Sequence, residues 1–151
     1  MHLIIDLFTF ILQMIFKHLN LFVNTFQLEK NNMNFIISTK TASHYFWGNN
    51  YDGWWLKKNG RFTVISEILP PNGSEVKHFH SKTEQFFYVL EGTLSIELDG
   101  TNYHLQHHEG ITVIPNIAHK VFNQSDKNVK FLVISCPDSH RDRIDLEEQK
   151  I

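Results

Sequence analysis

From Arg61 to Ser135 the chain alternates apolar and polar residues in short runs separated by residues that favour turns. "RFTVISEIL" alternates and stops at Pro70-Pro71-Asn72-Gly73, a strong turn signal. "FFYVLEG" closes at Gly92, "TLSIEL" follows, and Asp99-Gly100 joins that run to "TNYHL". Asp-Gly between two β-prone runs predicts a hairpin, because both residues accept the left-handed backbone that a tight hairpin needs. "ITVIP", "HKVFN" and "VKFLVIS" complete a set of roughly seven strands. Strands at such even spacing, without a helical period between them, predict an all-β antiparallel sandwich or barrel.

The flanks are patterned differently. Residues 1–33 are rich in Leu, Ile, Phe and Asn and contain no Gly or Pro. Asp6, Thr9, Gln13, Lys17, Asn20, Asn24 and Gln27 recur at steps of three and four, which places a narrow polar stripe on an N-terminal helix. The longest uncharged stretch before Lys17, Leu7–Phe16, is about half a membrane span. No basic residue precedes the apolar run and no small-residue cleavage site follows it, which speaks against a secretory signal. A second reading starts the protein at Met33 and treats the preceding residues as translated AT-rich sequence. Residues 34–60 form an aromatic-rich arm carrying Tyr45, Phe46, Trp47, Tyr51, Trp54 and Trp55. The arm is expected to pack on the barrel of residues 61–136, or to edge a ligand cavity. The polar tail, residues 137–151, reads as a surface arm or a short helix.

Composition narrows the function classes. The 151 residues carry a net charge of −2, so no field draws in nucleic acid or anionic lipid. One cysteine, Cys136, excludes an intramolecular disulfide and suits a reducing, cytoplasmic compartment; it reads as a small apolar residue at a strand end. There is no Gly-rich phosphate loop, nucleophile elbow or Cys-x-x-Cys pair.

The ten histidines are unevenly spread. In a strand, residues i and i+2 face the same way, so His78 and His80 present two imidazoles side by side, a chelating arrangement. His119, heading the strand after "IPNIA", is the candidate third imidazole.

"HFHSKTEQFFYVLEG" and "EGITVIPNIAHKVFN" resemble the two motifs of the cupins, small antiparallel barrels that usually hold one divalent metal. The resemblance covers about residues 61–135 and implies a double-stranded β-helix, or jelly roll, of the bacterial RmlC-like kind. His78, His80 and His119 match the motif histidines, Gly92 the closing glycine and Asn123 the final asparagine. Asn72, Asn116 and His108 stand where the family has turn glycines. Asparagine accepts a left-handed backbone best after glycine, so those two changes are mild.

The family's acidic ligand lies seven residues before the closing glycine, which here is Gln85. Counting forward from His80 also allows Glu84. The count from Gly92 runs along a strand, where insertions are hard to absorb, and favours Gln85. Strand parity leaves the choice open, since Phe87 and Val89 accompany Gln85 inward whereas Phe86, Tyr88 and Leu90 accompany Glu84, and both faces are apolar. An outer apolar face also suits the homodimer common in cupins. His104, Tyr88 and Asn123 are further pocket candidates, while His107 and His108 are expected in a solvated turn.

The resemblance implies one divalent ion (iron, manganese, nickel, zinc or cobalt) acting on a small oxygen-bearing molecule. The reaction classes are isomerase or epimerase, dioxygenase and lyase. The alternative is a non-catalytic ligand-binding or sensor protein using the same pocket. No side chain stands out in the sequence as a separate general base.

Overall fold

The computed structural model describes residues 13–23, 36–139 and 142–146. Residues 13–23 are helical; the other residues of the predicted N-terminal stripe lie outside the described residues, as does the chain after Leu146. No helix among the described residues is long and apolar enough to cross a membrane. Contacts divide the chain into residues 1–36 and 37–151, and the second unit carries everything that follows.

Among its described residues that unit holds eleven strands: β1 (Ser43–Trp47), β2 (Tyr51–Lys58), β3 (Thr63–Leu69), β4 (His78–His80), β5 (Glu84–Glu91), β6 (Leu94–Leu98), β7 (Thr101–Leu105), β8 (Gly110–Val113), β9 (His119–Phe122), β10 (Val129–Cys136) and β11 (Arg143–Asp145). They form two antiparallel sheets, ordered β1-β2-β3-β10-β5-β8 and β11-β4-β9-β6-β7. The inward residues of both sheets make the core, with Leu69, Val89, Leu94, Ile96, Val129 and Phe131 fully buried. This is the predicted double-stranded β-helix, closed by period-two burial along β5 and β10.

The turns follow from residue chemistry. Asn72, His108 and Asn116 all have positive φ (59°, 68° and 68°), so each takes the left-handed backbone expected where the family has glycine. His107 and His108 are exposed between β7 and β8, as predicted for a solvated turn.

Two predicted segments are organised differently. The aromatic arm is the β1–β2 hairpin, which extends the first sheet beyond β3 instead of only packing on it. Part of the polar tail is a strand: after a 3-10 helical residue at Ser139, β11 pairs with β4, setting Arg143 opposite His80 and Asp145 opposite His78. Its three side chains are all exposed, so the segment shows none of the apolar alternation that marks a strand in sequence. Cys136 does end β10, but it faces solvent rather than packing as a small apolar group.

Candidate metal centre

Strand parity turns His78 and His80 inward on β4, and β9 pairs His119 directly with His78. All three imidazoles are buried, at 2%, 4% and 1% exposure. One ring nitrogen from each lies within 4.8 Å of the other two. His78 donates Nδ1–H to Val76 O (3.0 Å), and His119 donates Nδ1–H to Ile117 O (2.9 Å). Both bonds leave Nε2 with the free lone pair, the tautomer that metal-binding histidines adopt. Neither ring nitrogen of His80 has a hydrogen-bond partner, although both are buried.

Burial dominates the protonation of these rings. It pushes His78 down to about 2, with His119 and Arg143 adding to the effect, and His119 down to about 4. It lowers His80 as well. At neutral pH the site therefore presents three neutral imidazoles, the form that binds cations.

Parity on β5 sets Glu84 and Gln85 on opposite faces: Gln85 is 6% exposed and points inward, whereas Glu84 faces solvent. Gln85 Nε2–H donates to Ser135 Oγ on β10 (3.3 Å), and Gln85 Oε1 lies 2.9 Å from His119 Nε2. With His119 already donating through Nδ1, that contact sets one lone pair against another. Two acceptors at this distance repel; either a cation between them relieves the contact, or the amide turns over so that its NH2 donates to His119 Nε2 and its oxygen accepts from Ser135 Oγ. Adjacent ligands of a cation with bonds of about 2.1 Å at right angles lie about 3.0 Å apart, so this spacing fits metal donors. The donor set thus fits a divalent ion: one amide oxygen and three neutral imidazoles, of which His80 is otherwise unpartnered.

His78, His80 and Gln85 line a cavity of about 580 Å³ between the sheets, and His119 lies behind them. Trp47, Trp55, Ile65, Phe87, Val121 and Val133 supply its apolar wall. Its polar groups include two carboxylates and an arginine that sequence reasoning did not select. Glu67 on β3 accepts a hydrogen bond from Tyr45 Oη on β1 at 2.6 Å. β2 lies between those strands, and its Gly53 is in register with both Tyr45 and Glu67. A Cβ on Gly53 would lie 2.5 Å from Tyr45 Cζ, so the missing side chain is what lets the phenol cross β2 to the carboxylate. Burial raises Glu67 to about 8 against the opposing Tyr45 hydrogen bond. Burial and the neighbouring carboxylate push the Tyr45 phenol well above its usual range.

Glu75 accepts Val121 N–H (2.9 Å) and an N–H of Arg143 (3.3 Å), and burial raises it to about 7. Arg143 comes from β11, which is tied to the β4–β5 turn by Asp142. That carboxylate accepts the backbone N–H groups of Ser81, Lys82 and Thr83 at 3.2, 2.7 and 2.8 Å.

Three residues expected at the pocket lie elsewhere. Tyr88 shares the outward parity of Glu84, and its Oη meets His108 Nδ1 at 3.2 Å. His104 is exposed on β7 and bonds Ser95 Oγ. Asn123 is buried but structural: its Nδ2 donates to Leu69 O and Lys127 O, and its Oδ1 accepts from Ser125. It borders a separate surface pocket with Asn72 and Lys120.

A family model described as a cupin domain matches residues 65–135. "Polyketide synthase CurC" of Streptomyces cyaneus is 29% identical over 70 residues, 46% of this chain and 46% of that protein, so the matched stretch spans less than half of this relative. The uncharacterized protein MJ1618 of Methanocaldococcus jannaschii is 32% identical over 93 residues, 61% of this chain and 74% of that protein. Among solved structures, the polyketide cyclase RemF from Streptomyces resistomycificus superposes with a TM-score of 0.66 at 20% identity, covering 78% of this chain and 89% of that one. The barrel, the inward His-x-His pair and these matches agree: the chain belongs to the cupin family.

Proposed function

We propose that this protein is a metal-dependent cupin enzyme acting on a small oxygen-bearing molecule, with His78, His80, His119 and Gln85 holding one divalent ion. Iron, manganese, nickel, zinc and cobalt all suit imidazole and amide donors. The observation that carries the reading is a cluster of three neutral, inward imidazoles, two of them lining a cavity that also holds the partly buried acid Glu67. When bound, such an ion would act as a Lewis acid toward a substrate oxygen.

The chain's own groups supply the rest. Gln85 is neutral, so unlike a carboxylate it leaves the ion its full charge. Glu67 supplies the acid–base group that the sequence did not reveal: at neutral pH it holds a proton at the cavity wall, with its orientation fixed by Tyr45. The apolar wall from Trp47 to Val133 limits water around the bound molecule. Isomerase, epimerase, lyase and dioxygenase chemistry are the classes this arrangement serves.

Elemental analysis of protein purified without added metal tests the reading. Wild type should carry stoichiometric divalent metal, and His80→Ala should lose it. Full retention by His80→Ala would place any metal elsewhere.

A further inference from the structure

Arg143 reaches the cavity from outside the barrel strands and is held in a fixed orientation. Nε donates to Asp145 Oδ1 (2.7 Å), Nη2 to Val76 O (3.2 Å) and Nη1 to Glu75 Oε2 (3.3 Å). Nη1 also donates to His78 Nε2 at 3.0 Å. That acceptor is the lone pair which a cation at the three imidazoles would use. A cation held there would take that lone pair and leave this N–H without its acceptor, close beside the cation.

The charges around that point are unequal. The three imidazoles are neutral ligands and Gln85 is an amide, so no donor offsets a divalent ion. Glu75 and Asp145 lie against the guanidinium and offset part of its charge, although Asp145 is largely exposed, where its charge is screened. Two cationic groups side by side in a half-enclosed cavity disfavour a neutral ligand set and favour an anion that touches both.

We infer that Arg143 makes this site specific for small carboxylates, one oxygen bound at the metal and another accepting from the guanidinium. The inference rests on the metal reading above and adds the substrate class to it. Planar carboxylates match the guanidinium fork better than they match an ammonium. The Asp142 clasp on the β4–β5 turn anchors the start of β11, the strand that carries Arg143.

The test uses the full chain loaded with cobalt(II), whose visible absorption reports both metal uptake and ligand exchange. Oxalate is the anionic probe and imidazole the neutral one. Arg143→Gln should weaken oxalate about tenfold or more, the loss expected for a hydrogen bond to a charged group. Imidazole affinity and cobalt stoichiometry should stay as in wild type, and Arg143→Lys should recover part of the oxalate affinity. Unchanged oxalate binding in Arg143→Gln overturns the inference. So does an equal loss of oxalate and imidazole, which would show that the arginine only holds β11 in place. If wild type takes up no cobalt or other divalent ion, the metal reading fails and the inference with it.

Discussion

Removing the Tyr45 hydroxyl is the sharpest probe of the cavity acid. In Tyr45→Phe, Glu67 Oε1 loses a donor at 2.6 Å while the ring, and its packing against Trp55, can stay. A hydrogen bond to an ionised group contributes about 1.5–3 kcal/mol and one between neutral groups about 0.5–1.5 kcal/mol. Both partners are only partly buried, so the lower halves of those ranges apply. The cost of the substitution should therefore be larger where Glu67 is ionised. Glu67 is raised from its ordinary 4.5 to about 8, so between those values the folded state holds a proton that the unfolded state has released. Its contribution to stability is complete below about 4.5 and is lost as pH rises to about 8. Losing the Tyr45 hydrogen bond moves the upper end of that window higher. Urea unfolding of wild type, Tyr45→Phe, Glu67→Gln and the double variant at about pH 6 and about pH 9.5 measures this coupling directly. The opposing titrations of His78 and His119 are common to all four proteins and cancel in the differences. Tyr45→Phe should cost more at the higher pH, and the pair should couple at both. A pH-independent cost, or additivity of the two single substitutions, would refute a hydrogen-bonded acid of raised pKa.

Gln85→Ala should weaken metal binding more than Glu84→Ala, read by competition with a chromogenic chelator; the reverse order would mean that the amide is not a ligand. Gly53→Ala should cost about 1–3 kcal/mol in chemical unfolding, because the new methyl must push the Tyr45 ring aside. Tyr45→Ala in the same chain should relieve much of that strain, and a Gly53→Ala protein as stable as wild type would show that the ring shifts freely.

The His-x-His pair was legible because strand periodicity is short and strict: knowing that residues 78–80 extend is enough to place both rings. Gln85 followed from counting along a single strand to Gly92, and the structure turns that residue inward. Glu67 did leave a trace, since it alternates with Thr63, Ile65 and Leu69 on the buried face of β3, an acid where an apolar residue is expected. Its meaning depends on Tyr45, two strands away, and sheet order is not written in local pattern. Arg143 was hidden by its surroundings. A three-residue strand with exposed side chains looks like any polar tail, and only the pairing of β11 with β4 brings it to the imidazoles. The same lack of local signal misplaced Tyr88 and His104, whose identities suit a pocket but whose parity and strand set them outside it.

Gly53 has a consequence for how relatives of this chain can vary. The phenol of Tyr45 occupies the space in which any larger residue at position 53 would put its Cβ, so the two positions share one volume. A relative that replaces Tyr45 with a smaller residue is free to gain a side chain at 53. One that keeps a tyrosine reaching Glu67 is held to glycine there. Position 53 is thus a sequence marker for the acid pair: paired substitutions at 45 and 53 across an alignment would separate barrels that keep the Glu67–Tyr45 contact from those that have abandoned it.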